Sequence, residues 1–103
     1  MHFIEVKDDS RIGETGNVLC EDEVFYDSIG DFVKGNMHSD YEIYCVISQP
    51  TKRIYVIDFK VLKSIYTRGK YTAMEYSDQT SFVYLVPVAM VKKEGGMIAE
   101  IDY

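Results

Sequence analysis

A chain of 103 residues with 47% hydrophobic and 27% charged residues suits one folded domain and is too apolar to stay disordered. The formal net charge of −6 argues against general nucleic-acid affinity, which comes mostly from neutralising phosphates. No apolar run approaches the roughly 20 residues of a membrane span, and the start lacks the basic-then-apolar pattern of a signal peptide, so a cytoplasmic protein with no membrane partner is expected.

In chain order, His2 to Val6 reads as a strand, and the polar stretch from Asp8 to Gly16, with two glycines, as a turn or long hairpin loop. Asn17 to Glu21 is a second strand that ends in Glu21-Asp22-Glu23. Residues 24–39 are ambiguous: Asp27-Ser28-Ile29-Gly30 can cap a short helix through Phe32 and Val33, stopped by Gly35-Asn36. Tyr41 to Ser48 and Arg53 to Ile57 form a hairpin around Gln49-Pro50-Thr51-Lys52. Asp58 caps a helix whose Phe59, Leu62, Ile65 and Tyr66 make one apolar stripe, and Gly69 ends it. Strands follow at Tyr71–Tyr76 and Phe82–Val86. Pro87 then suits the first turn of a short helix, Gly95-Gly96 breaks it, and Met97 to Ile101 is a last short strand. The expected class is α+β, a mostly antiparallel twisted sheet with one main helix, in a single domain over residues 1–103.

Charge is unevenly placed. Residues 1–51 carry a net −8, residues 52–70 a net +5 and residues 71–103 a net −3. Lys52, Arg53, Lys60 and Lys63 are candidates for a phosphate- or partner-binding face, the alternative being the solvated back of a helix. Glu14, Glu21, Asp22 and Glu23 are candidates for an acidic partner surface, the alternative being ordinary surface solubility. Cys20 and Cys45 lie in apolar runs and are spaced to neither His2 nor His38 as metal ligands are; reduced, buried thiols are expected. Nine tyrosines are many for this length, so core or rim positions are expected for most and interface anchors for a few.

The stretch Ile4-Glu5-Val6-Lys7 raises a sharper question. On a strand Phe3, Glu5 and Lys7 share one face, and Ile4 and Val6 the other. A carboxylate and an ammonium two residues apart fit phosphodiester hydrolysis: Glu5 as a Mg²⁺ ligand, Lys7 to orient water or steady charge on phosphate. The same pair also fits a solvated strand face.

FIEVKDDSRIGETGNVLCE, then SDYEIYCVI, then IYVIDFKVLKSIY, together resemble the later part of a PD-(D/E)xK nuclease of the small phage type, in the restriction-endonuclease-like superfamily. The corresponding elements here are Glu5-Val6-Lys7, Thr15-Gly16-Asn17, Glu21, Ser28-Ile29, Ser39 to Tyr44 and Val61-Leu62-Lys63, covering about residues 3–70. The resemblance implies a catalytic role for Glu5 and Lys7 and metal binding by Glu5. In that family a strand bearing the first metal-binding Asp precedes E-x-K, whereas this chain begins four residues before Glu5. A truncated restriction-endonuclease-like fold is therefore expected. Two functions follow. One is a small phage-type protein that binds a protein or nucleic-acid partner, as an inhibitor of a host nuclease or defence system, with no cofactor. The other is half of a Mg²⁺-dependent DNA nuclease whose Asp comes from another chain. An uncovered apolar surface at Phe3, Ile4 and Val6 is expected as a homodimer or partner contact, with residues 2–7 at or near it.

Overall fold

The computed structural model describes residues 3–103, so His2 lies outside the described residues. The order of elements is β1 (Ile4–Asp8), α1 (Ile12–Thr15), β2 (Asn17–Tyr26), β3 (Asp31–Lys34), β4 (Ile43–Ser48), β5 (Arg53–Asp58), α2 (Phe59–Ile65), β6 (Lys70–Glu75), β7 (Gln79–Pro87), α3 (Val88–Lys93) and β8 (Met97–Asp102). Single 3-10 turns occupy Asn36–His38 and Tyr66–Arg68. The α+β class, the mainly antiparallel pairing and the one main helix are all observed. The strands are divided between two sheets: the first has the order β1-β4-β5-β8, the second β3-β2-β7-β6. β1 pairs with β4 in parallel; every other pairing is antiparallel.

Two segments differ from expectation. Residues 8–16 do not close a hairpin, because β1 and β2 belong to different sheets. Ile12 drives the difference. It is the apolar side chain of a polar stretch, it is buried at 1% exposure, and α1 forms around it as the chain crosses between sheets. Gly16, at φ 69°, closes that turn by donating to the Ile12 carbonyl. Residues 27–33 form no helix. β2 runs on through the acidic triplet to Tyr26, turns at Asp27–Gly30 with Gly30 at φ 62°, and returns as β3. Val24, Phe25, Phe32 and Val33 are β-formers that pair across this hairpin, which outweighs a weak helical pattern.

The core lies between the first sheet, one end of the second, and the helices. Tyr44, Val46, Tyr55 and Ile57 of the first sheet meet Val18, Cys20 and Val86 of the second, with Ile12, Met37 and Val91. The α2 stripe completes it: Phe59, Leu62, Ile65 and Tyr66 are exposed by only 1%, 0%, 4% and 8%. Gly69 follows the helix because a side chain there would meet the Leu85 carbonyl oxygen at 2.6 Å.

Asp58 caps α2 as its position predicts, accepting from the backbone N–H of Lys60 (3.0 Å) and Val61 (3.4 Å). Asp58→Ala is expected to cost about 0.5–2 kcal/mol in urea unfolding, with Asp58→Asn recovering most of it. Equal losses in both variants would show that the cap bonds contribute nothing.

Candidate functional site

Glu5 and Lys7 both point to the inner side of β1, half-buried, opposite Tyr44 and Val46 in the register with β4. They form no ion pair with each other. Glu5 accepts from the Val6 N–H at 3.1 Å, and its hydrogen bond with the Tyr41 hydroxyl is the first cause that raises the Tyr41 pKa. Lys7 borders a cavity of about 300 Å³ between the sheets, with Asp8, Asp9, Arg11, Glu21 and Tyr44 also at its walls. Asn36 lines it too, with its buried side-chain amide beside the Tyr44 hydroxyl. Burial, first of all, pushes the Tyr44 hydroxyl up, and the nearby Glu5 and Glu21 charges add to this. Among the described residues no three His, Cys, Asp or Glu side chains converge as metal ligands.

The four basic candidates do not form one face. Lys52 and Arg53 stand at one end of β5, while Lys60 and Lys63 follow its other end on α2. Six strand residues separate the pairs by about 17–20 Å. Sequence adjacency of turn and helix hid that distance. Three of the four are already engaged. Arg53 donates to Asp102 at 2.8 Å and stands 3.9 Å from Glu100. Lys52 lies over the Tyr103 ring at 5.6 Å, and Lys63 donates to the Ser39 carbonyl at 3.1 Å.

The acidic candidates also separate. Glu14 is on α1; Glu21, Asp22 and Glu23 are on β2. The β2 register shifts between Glu21 and Glu23, so Asp22 sits at a bulge. There it accepts from the Tyr66 hydroxyl at 2.9 Å and pairs with His38 Nε2 at 2.9 Å. Burial and this carboxylate push Tyr66 up to about 12. Asp22 is thus a structural acceptor that ties β2 to the 3-10 turns at Tyr66–Arg68 and Asn36–His38, not a free surface charge. Sequence reading missed the network because its members lie up to 44 residues apart.

The outer face of the first sheet is different in kind. In register, its rows are Ile4–Ile43–Asp58, Val6–Cys45–Val56–Ala99 and Asp8–Ile47–Ile54–Ile101. Ile4, Val6 and Ile101 are exposed by 56%, 55% and 48%. Ile43, Cys45, Ile47, Ile54 and Val56 are half-buried, covered mainly by one another. The charges on it are Asp8 and Asp58 at opposite corners, Asp8 bonded to Gln49 and Asp58 to the α2 cap. β1 is the edge strand of this sheet. The exposure expected at Phe3, Ile4 and Val6 is therefore observed; Phe3 (54% exposed) borders a shallow cleft at the end of this face, with Ile43, Asp58, Tyr41 and Lys60. Cys45, expected to be buried, lies half-exposed on this face; only Cys20 is fully buried, and both are free thiols.

No family model matches the chain, and neither a curated protein nor a solved structure matches it. No helix among the described residues is long and apolar enough to cross a membrane.

Proposed function

We propose that this chain acts by binding proteins and does not cleave nucleic acid on its own, and that it works as a dimer joined through the outer face of its first sheet. The observation that carries this is the continuous aliphatic face of Ile4, Val6, Ile43, Cys45, Ile47, Ile54, Val56 and Ile101 on a molecule of net charge −6. Exposed apolar patches of this kind mark association sites. A second copy is an occupant that the uncharged character of this face permits. Two acidic molecules repel each other on most approaches, but this face is uncharged except at two bonded corners. It spans about 17 Å along the strands and about 15 Å across them. The patch itself is about 250 Å² per copy, at the small end for specific interfaces, which suits a weak, concentration-dependent dimer. The role proposed for it, with the PD-(D/E)xK resemblance in support, is inhibition of a host nuclease or defence enzyme.

A second reading rests on Lys7 and Glu21 lining one cavity close to Glu5: half of a metal-dependent nuclease, completed by a carboxylate from another chain. The two readings separate in a cleavage assay. Purified protein with Mg²⁺ or Mn²⁺ is expected to leave plasmid and single-stranded DNA intact. Strong cleavage that disappears in Glu5→Ala and in Lys7→Ala would overturn the binding reading in favour of the second.

A further inference from the structure

The second sheet carries a feature that the dimer face does not use. Six aromatic rings run in sequence from the core margin outward. Tyr66 packs edge-on to Tyr84 (5.3 Å between ring centroids), Tyr84 meets Tyr71 (5.0 Å), and Tyr71 stacks with Phe82 at 6.3 Å and 15°. Phe82 meets Phe32 (5.9 Å), and Phe32 meets Phe25 (5.1 Å). The register explains the line: Tyr71 pairs with Tyr84, Phe82 with Ala73, and Phe25 with Phe32, so five of the rings lie on one face of four adjacent strands, with Tyr66 of the 3-10 turn packed at the inner end. Tyr66 is buried, but Tyr71 and Phe32 are exposed by 55% and 52%. Ala73, beside Phe82, is too small to cover that ring.

Carboxylates flank the strip. Glu23 pairs with Phe82 in the β2–β7 register, and Glu75 pairs with Thr80. Beyond the Phe25–Thr80 row the two hairpin turns meet, Asp27 N–H donating to the Asp78 carbonyl at 3.1 Å, which brings two further acidic residues to that end. Lys34, opposite Glu23, is the one basic side chain on these rows. Ring faces are electron-rich and favour a cation above them, and the planar guanidinium of arginine stacks on them while donating to nearby carboxylates. A nucleic acid could stack on the same rings, but its phosphates would meet a net negative surface.

We propose that the strip Phe25–Phe32–Phe82–Tyr71, bordered by Glu23 and Glu75, is a docking site for an arginine-bearing extended segment of a partner protein. The rings stack on the guanidinium groups and the carboxylates accept their N–H bonds. The site is independent of the dimer face, since none of its residues lies on the first sheet.

The test is titration of the full chain with an eight-residue peptide of alternating glycine and arginine, its lysine counterpart, and a twelve-nucleotide oligo-dT, followed by NMR and calorimetry. The arginine peptide is expected to bind at least fivefold more tightly than the lysine peptide, with shifts centred on Phe32, Tyr71 and Phe82. The double variant Phe32→Ser/Tyr71→Ser changes only exposed side chains and leaves the charge unaltered. It is expected to weaken arginine-peptide binding at least fivefold while keeping the native spectrum elsewhere. Glu23→Gln/Glu75→Gln should weaken it as well. Unchanged affinity in the serine double variant would mean simple charge attraction and overturn the proposal. So would equal affinity for the two peptides, tighter binding of oligo-dT, or no binding of the arginine peptide at 1 mM.

Discussion

Leu62→Ala is expected to destabilise the protein by about 2–5 kcal/mol, a large part of the stability of a domain this size. Leu62 has no exposed surface and sits at the middle of the α2 stripe, between Phe59 and Ile65, where the helix packs into the core shared by both sheets. Truncation removes buried methyl groups and leaves a cavity that a core tied down on several sides cannot close. Urea unfolding measures it directly. A loss under about 0.5 kcal/mol, outside the range for a buried leucine, would mean that α2 does not pack as described.

Gly35→Ala is the second large effect, about 1–3 kcal/mol, the range for overpacking a filled site. Gly35 passes against β2 at its bulge, donating to the Asp22 carbonyl at 2.7 Å. A methyl group there would run into the Glu21 carbonyl, which is backbone and cannot step aside as a flexible side chain can. The strain falls where Asp22 holds Tyr66 and His38. Gly16→Ala tests a different cause, since its added carbon meets nothing and only its positive φ is unfavourable. Comparable spectra and stability for Gly35→Ala and the parent would contradict the close passage of the chain at the bulge.

What the sequence made legible was local. The β4–β5 hairpin, the Asp58 cap, the α2 stripe and the break at Gly95-Gly96 each rest on a few neighbouring residues with a clear physical preference. Pairing between distant segments was not legible. Nothing in Ile4-Glu5-Val6 announces a parallel neighbour at Ile43–Cys45, and nothing in β2 announces β7, because a strand's pattern specifies its faces and not its partner. Phe25 and Phe32 fell in the stretch whose structure was ambiguous, so their place in an aromatic line could not be seen. One signal was present and underused. β4 reads Ile-Tyr-Cys-Val-Ile, apolar on both faces, which is the pattern of a strand covered on both sides. In the single chain Tyr44 and Val46 are fully covered, while Ile43, Cys45 and Ile47 are only half-buried.

That uncovered face is the central claim, and the molar mass in solution tests it most directly. Light scattering on the purified chain from about 5 to 500 µM, the range where an interface near the lower size limit should assemble, is expected to show mass rising from one chain toward two. Ile4→Lys places a charge at the exposed edge of the face without touching the core, so it should hold the protein at one chain throughout, still folded. A strictly monomeric parent across that range, or a dimer that Ile4→Lys leaves intact, would contradict the account.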